Sequence, residues 1–152
     1  MTIQAGDLVR TAAPTAFVHD DTIITEIAHT SYAAGTPEVG VYFVGPPSGR
    51  VRLTIGGGFR DNGASLDRIF LAPQLFRDNA AGTEVLAPSV TLRGYLSLSN
   101  NTAFQYGCRV SLIEGLTPGQ LYYLRTMHLA TPGTDPDSAD IAARDLIVIP
   151  LP

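Results

Sequence analysis

The 152-residue sequence contains one cysteine, no lysine and no long hydrophobic run. The single cysteine, Cys108, excludes an internal disulfide. Because it lies in a strand-like run, we expect a buried, unreactive thiol. No apolar stretch approaches the roughly 20 residues that a membrane-spanning helix needs, and no signal peptide follows Met1. We therefore expect no membrane partner, and synthesis in the cytoplasm without an export signal.

Positive charge is also scarce and scattered. All ten positive residues are arginines, spread from Arg10 to Arg144, against fourteen Asp and Glu residues and a net charge of −4. A nucleic-acid-binding protein usually presents a basic stripe, so we expect no nucleic-acid partner. With 45% hydrophobic residues, a chain of this length can form one domain around one core.

Alternation of polar and apolar residues runs through most of the chain. Residues 50–55 (RVRLTI) place Val51, Leu53 and Ile55 on one face, as in a half-buried strand. Turn residues separate such runs at strand-length intervals. The pattern predicts an all-β antiparallel sandwich. The predicted strands cover residues 22–27, 39–44, 50–55, 68–71 with 75–76, 90–98, 104–113, 121–129 and 146–149.

Three other segments carry predictions of their own. Residues 1–20 have few apolar pairs and are predicted to be an N-terminal arm, either a loose tail or a segment that docks on a neighbour, followed by one sandwich domain over 21–152. Residues 135–144 are the best helix candidate, with a loop as the alternative. Residues 56–58 (GGG) lack the following Gly-Lys-Ser/Thr of a phosphate loop, so they predict a bulge or close backbone packing.

The residues that could carry chemistry form no recognisable site. His19 and His29 match no zinc-binding spacing. Asp135, Asp137 and Asp140 form an acidic run without the EF-hand pattern, so a solvated loop is expected. No G-x-S-x-G motif occurs. We therefore predict no catalytic residue, no metal and no cofactor, and hence a protein that is not an enzyme.

A hairpin near the C-terminal end is the best-specified local structure. Residues 109–128 read as strand, turn and strand, with Pro118-Gly119 in the turn. Residues 116–122 (LTPGQLY) resemble the tyrosine corner of immunoglobulin-like and fibronectin type III sandwiches. That resemblance implies that the Tyr122 hydroxyl bonds backbone a few residues upstream. It also leaves an immunoglobulin-like sandwich open as an alternative fold.

The second strand of this hairpin carries large side chains on both faces. Alternation directs Tyr122 toward one face, and Tyr123, Arg125 and Met127 toward the other. Because aromatic residues, Met and Arg are enriched at protein interfaces, these three are the candidate contacts with a sister subunit. The alternative is that the chain covers them itself.

A second resemblance covers most of residues 22–150. Its motifs are PEVGVYFV (37–44), GRVRL (49–53), FRDNG (59–63), FLAPQ (70–74), GTEVLAPS (82–89), GLTPG (115–119) and RDLIVIP (144–150). They resemble small virion proteins of tailed phages that infect actinobacteria. The order of an aromatic strand, a P-x-S-G turn and an arginine-flanked strand is also similar to the C1q/TNF-like jelly roll, whose domains are commonly trimers.

The phage resemblance implies a structural role in the virion. Fibre proteins usually carry a repetitive shaft, and the sequence shows no such repeat. We therefore expect a trimeric capsid decoration protein that binds the outer surface of the major capsid protein shell, with residues 1–20 as the clamp. The alternative is a receptor- or carbohydrate-binding jelly-roll module at the tail tip.

Overall fold

The computed structural model describes residues 13–62, 68–96, 102–131 and 139–152. Within these ranges the chain forms nine β-strands and no α-helix, and so no helix that could cross a membrane. The strands are β1 (Ala16–Asp20), β2 (Gly40–Val44), β3 (Val51–Asp61), β4 (Arg68–Arg77), β5 (Glu84–Leu86), β6 (Tyr95–Leu96), β7 (Gln105–Ile113), β8 (Leu121–Thr131) and β9 (Ala139–Pro150).

The strands form two antiparallel sheets with the order of a jelly roll. The first sheet runs β1-β9-β3-β7 and the second runs β2-β8-β4-β5, with β6 also pairing with β4. The first strand therefore lies beside the last, and β1 and β2 lie in different sheets. In an immunoglobulin-like sandwich the first two strands are neighbours in one sheet. The predicted jelly roll is confirmed, and the immunoglobulin-like alternative is wrong.

Alternate residues of the long central strands form the core between the sheets. Val51, Leu53 and Ile55 of β3 are fully buried, as their alternation predicts, in one cluster with Leu71 and Leu75 of β4. Full burial of such a side chain stabilises the fold by about 1.5–3 kcal/mol. The core therefore lies between β3 and β9 of the first sheet and β4 and β8 of the second.

The glycine run 56–58 marks a bulge, as predicted. The pairing of β3 with β9 shifts register between Gly57 and Gly58, and Ala143 opposite them has φ of 58°. A Cβ on Gly57 would collide with the carbonyl oxygen of Ala143. Glycine is required there because the two backbones approach closely.

The hairpin turn has the hydrogen bond expected of a tyrosine corner. The Thr117 N–H donates to the hydroxyl oxygen of Tyr122 at 2.8 Å, and Gly119 adopts φ of 78° in the turn. The Tyr122 ring is buried in the core. The same local device therefore occurs here in a jelly roll, which shows that the motif fixes a turn rather than a fold.

Three predicted segments differ from the structure. Residues 22–27 form only an isolated bridge between Ile24 and Ile141, because this segment leaves the first sheet to reach β2 in the second. Of residues 90–98, only Tyr95–Leu96 is a strand among the described positions. The helix predicted over 135–144 is wrong from Ala139 onward, where β9 begins and pairs with β3.

The described part of the predicted arm belongs to the sandwich. Ala16–Asp20 forms β1 and pairs with β9, from Ala16 opposite Val148 to Asp20 opposite Arg144. Residues 1–12 lie outside the described residues. An arm that docks on a neighbour thus stays a prediction for that segment.

Candidate interaction surfaces

The outer face of the second sheet carries a hydrogen-bonded group that includes two of the three predicted interface residues. The Tyr123 hydroxyl donates to the Glu38 carboxylate. Arg125 donates to the other Glu38 oxygen at 2.7 Å and to Gln74 Oε1 at 2.9 Å. Burial and the neighbouring Glu38 carboxylate raise the pKa of Tyr123 above its ordinary value. We call Glu38, Gln74, Tyr123 and Arg125 the Glu38 network.

One exposed aromatic ring lies beside this network. Tyr42 is 54% exposed, and its ring centroid is 4.7 Å from that of Tyr123. The Arg125 guanidinium lies 5.2 Å from the ring centroid of Phe76 on the neighbouring strand. An exposed ring thus adjoins a set of oriented charged and amide groups on one face of the sheet.

The chain itself covers much of the predicted interface. Tyr123 and Met127 are only 8% and 7% exposed, and Arg125 is half-buried. Met127 lies on the same strand face, opposite Ala72 of β4, and has no part in the Glu38 network. Contact of these three residues with a sister subunit stays a prediction, in which Arg125 offers the most accessible surface.

The outer face of the first sheet is apolar and open. Phe17 of β1 is 72% exposed, and Tyr106 and Val110 of β7 are 69% and 57% exposed. Cys108, between these two β7 residues, is exposed as well. We call this surface the apolar face. Its members are Phe17, Tyr106, Cys108, Val110, Leu112 and Ile147.

The strand register arranges the apolar face in rows. Phe17 pairs with Ile147, Ile147 with Thr54, and Thr54 with Val110, so one row crosses all four strands. The next row carries Arg52 beside Leu112. Large exposed apolar patches on a domain surface mark sites of interaction.

Exposure of Cys108 corrects the prediction of a buried thiol. On β7 the inward positions include Arg109, which reaches across to donate to the carbonyl oxygens of Val90, Leu92 and Gly94. The alternate positions, including Cys108, therefore point outward. Sequence alternation separates the two faces of β7, but the Cys108 thiol was expected to be buried because cysteine is among the residues most often buried.

A polar cluster lies inside the sandwich where residues 21–39 cross between the sheets. Arg144 is fully buried and donates from Nη2 to Asp20 Oδ1 at 2.9 Å, while its Nε and Nη1 have no hydrogen-bond partner. His128 is also buried, its Nδ1 has no partner, and its ring centroid lies 4.8 Å from that of His29. Burial, His29 and Arg144 lower the pKa of His128 to about 4.

The histidines considered as metal ligands lie in different environments. His19 contacts Asp145 at 2.6 Å and Asp21 at 3.1 Å, and the Asp145 hydrogen bond raises its pKa. His29 instead contacts the carbonyl oxygen of His128. In the described part of the chain, no group of three His, Cys, Asp or Glu side chains could hold a metal ion.

The acidic run considered as a calcium loop is only partly described. Asp135 and Asp137 lie outside the described residues. Asp140 is buried, pairs with Arg60 at 2.7 Å and accepts from the Glu26 N–H at 3.0 Å. Asp140 therefore does not belong to a solvated loop.

Comparison with known proteins gives distant similarity in structure alone. No protein-family model and no curated protein sequence matches the chain. Among solved structures, a chain of the T13 particle of infectious bursal disease virus aligns with TM-score 0.47 and 11% identity. The alignment covers 99% of this chain and 35% of the viral chain, so this chain spans about a third of the viral protein's length.

Two carbohydrate-binding modules are also similar in structure. A family 35 module from Clostridium thermocellum aligns over 86% of this chain and 90% of its own, with TM-score 0.30 and 17% identity. A family 16 module aligns over 84% and 83%, with TM-score 0.29 and 15% identity. At these values the similarities assign neither a family nor a function. Its own strand order defines the chain as an antiparallel β-sandwich of the jelly-roll type.

Proposed function

We propose that this protein is a structural subunit of a phage virion, specifically a decoration protein on the outer surface of the major capsid protein shell. The observation that carries the proposal is the apolar face, because a row that crosses four strands and carries apolar side chains on three of them is suited to contact between subunits. Homotrimeric assembly, which the family resemblance implies, is part of the proposal. The protein acts without a catalytic step.

Charge supports a position outside the shell. The net charge of −4 disfavours contact with packaged DNA, since DNA-binding surfaces neutralise phosphates with Lys and Arg. Several arginines are also engaged within the chain: Arg60 with Asp140, Arg125 with Glu38 and Arg144 with Asp20. An acidic surface is better suited to a shell's exterior than to its DNA-facing side.

Copy number in the virion tests the proposal. Particles of a tailed phage that encodes the chain would be purified, and its copies counted against the major capsid protein by quantitative mass spectrometry. We expect hundreds of copies per particle, with antibody–gold label on the head. A few copies at the tail tip would favour the alternative below, and absence from the particle would contradict both.

The Glu38 network favours a second candidate function, recognition of a carbohydrate at the tail tip. Exposed rings bind sugar faces by stacking, and neighbouring charged or amide groups bind the hydroxyls. Tyr42 offers the ring, and Glu38, Arg125 and Gln74 offer the polar groups. The network groups already bond one another, so a sugar would have to share them.

Glycan-array binding tests this second function. Tyr42→Ala should weaken any binding about tenfold or more, because it removes the stacking ring. Tyr106→Ala is the matched control, since Tyr106 is also exposed, at 69% against 54% for Tyr42, but lies on the opposite sheet. Absence of glycan binding, or equal loss in both variants, would rule out this site.

A further inference from the structure

We propose that the apolar face binds the same face of a second copy of this chain about a two-fold axis. This inference deepens the proposed function by naming the partner of that surface, and it rests on that function only in treating the chain as an assembling subunit. The two-fold association does not require a virus particle. The size of the face, its register and the position of its charges support this contact.

The face is large enough for a contact between subunits. With about 4.8 Å between strands and about 3.3 Å per residue, four strands over the seven positions from Arg52 to Gly58 span roughly 19 by 23 Å. That flat area of roughly 400 Å² includes Arg52, Thr54 and Asp145 as well as the apolar side chains. It is comparable to the largest apolar patch on a typical domain, about 300–600 Å², which is often functional. Two such faces can pack as sheets do, about 10 Å apart with strands nearly aligned.

The register makes the face complementary to itself. An axis along the row of Phe17, Ile147, Thr54 and Val110 reverses the strand direction and places each of these residues over its own copy. Apolar side chains then meet apolar side chains across β1, β9 and β7. On β3 the small Thr54 side chain lies at the axis.

The charges flank this row on opposite sides. Arg52 lies one row away in one direction, paired with Ile149, and Asp145 lies one row away in the other, paired with Gly56. The two-fold rotation therefore brings Arg52 of one copy over Gly56 of the other, beside Asp145. Because Gly56 has no side chain, the guanidinium can approach that carboxylate.

The end of the face with Asp145 keeps negative charge even when His19 is protonated. His19 contacts both Asp145 and Asp21, so two carboxylates surround one imidazole. Among the described contacts, none gives Arg52 an acidic partner within its own chain. Each two-fold pair of faces thus gains two Arg52–Asp145 contacts, and opposite charges across an interface fix its register.

This contact is distinct from the three-fold contact of the expected trimer. A two-fold interface uses the same patch on both copies, so any closed assembly that contains it has an even number of subunits. A dimer, or two trimers joined through their apolar faces, contains the contact. An isolated trimer does not.

Solution mass and a charge exchange test the inference. We expect light scattering on the full chain to give a dimer or another even-numbered assembly. Arg52→Glu should weaken the two-fold association about tenfold or more, because it places a carboxylate beside Asp145 of the other copy. The double variant Arg52→Glu with Asp145→Arg should restore it. Val85→Glu on β5, an exposed valine of the other sheet, is the control and should leave the mass unchanged.

A cross-link provides a second measurement that does not depend on the charge variants. Thr54→Cys in a Cys108→Ser background should be linked into a dimer by a bismaleimide with a spacer of up to about 10 Å, because residues on a two-fold axis face their own copies across the roughly 10 Å between packed sheets. Val85→Cys in the same background should remain monomeric on a non-reducing gel. Circular dichroism confirms that each variant is folded.

Three results would overturn the inference. The first is a monomer or an isolated trimer at every concentration. The second is an even-numbered assembly whose mass does not change in Arg52→Glu. The third is a Thr54→Cys variant that stays as monomeric on the gel as the Val85→Cys control. None of them changes the copy number of the chain in virions, so the proposed function can fail or stand separately.

Discussion

Arg144 and Asp20 show how one buried charge depends on one partly exposed partner. Although partial burial acts to raise it, the hydrogen bonds from Arg144 and Thr22 hold the pKa of Asp20 below its ordinary value. Arg144 has no accessible surface, and only one of its three nitrogens is paired. Removing a buried charge lowers the free energy of unfolding less than leaving that charge buried without its partner.

The two substitutions at this pair should therefore differ. Asp20→Asn leaves the Arg144 charge buried without a carboxylate, and we expect it to lower the free energy of unfolding by about 2 to 3 kcal/mol. Arg144→Met keeps most of the volume and removes the charge, so it should cost less. Urea denaturation of both variants measures the difference. A larger loss for Arg144→Met would show that the pair itself stabilises the fold.

His128 should make stability depend on pH. Its pKa is about 4 in the folded chain, against 6.5 in the unfolded chain, so the unfolded chain binds the proton first as the pH falls. The contribution of neutral His128 to the free energy of unfolding is therefore present above pH 6.5. It is lost as the pH falls toward 4, which lowers the free energy of unfolding by about 3 kcal/mol. His128→Asn should flatten that decrease in thermal melts taken across this range.

His19→Asn is the control for the His128 prediction. The exposed His19 has a raised pKa, so its contribution has the opposite sign: it is present at low pH and is lost as the pH rises. The decrease in stability between pH 6.5 and pH 4 should therefore persist in His19→Asn. If the stability of His19→Asn did not change between these pH values, His19 and not His128 would cause the decrease.

At the scale of single elements, the tyrosine corner ties the turn to β8. The Tyr122 hydroxyl is the acceptor for the Thr117 N–H, and its ring packs in the core. Tyr122→Phe keeps the ring and removes the acceptor, so we expect a loss of about 1 kcal/mol in the free energy of unfolding. Tyr42→Phe, at an exposed tyrosine of β2, should change stability by less than about 0.5 kcal/mol. Equal effects in denaturant melts would contradict the role of the bond.

The sequence predicted strands best where one face of the strand is buried and the other is exposed to solvent. β3 is such a strand, and its alternation gave the correct inward residues as well as the bulge at the glycine run. β7 alternates just as clearly, but Tyr106, Val110 and Leu112 point outward because Arg109 occupies the inner side, and only Ile113 at the strand end joins the core. Periodicity separates the two faces of a strand and does not say which one meets the core. The apolar face could not be located without the sheet order.

The buried polar cluster was beyond sequence reasoning for a different reason. Asp20, His128 and Arg144 are far apart in the chain and meet only because β1 lies beside β9 and residues 21–39 cross to β8. No local spacing records that topology. The same holds for the Glu38 network, in which Glu38 precedes β2 while Arg125 belongs to β8.

At the scale of the whole molecule, the two outer faces have different character. The outer face of the second sheet is largely occupied by the hydrogen bonds of its own chain, whereas the apolar face is open. An assembly through the apolar face leaves Tyr42 accessible on the opposite side of the sandwich. A particle-bound copy could thus use one face for its own assembly and still expose the other.

The place of β1 leads to a prediction about truncation. Deletion of residues 1–12 leaves β1 intact, because this strand begins at Ala16 and pairs with β9. We expect the melting temperature of the variant that lacks residues 1–12 to equal that of the full chain. Deletion of residues 1–20 removes the whole of β1 and also removes Asp20, the carboxylate that accepts the hydrogen bond of Arg144. That variant exposes the edge of β9 and leaves a buried charge unpaired, so it should melt at a markedly lower temperature or fail to fold.

Shell binding then separates a docking arm from a fold defect. If residues 1–12 clamp a neighbour, their deletion should abolish binding to decoration-free capsids while thermal stability is unchanged. The longer deletion cannot make this distinction, because loss of binding would follow from loss of β1 alone. Full binding by the 1–12 deletion would exclude the arm as the clamp and leave the surfaces of the sandwich as the contact with the shell.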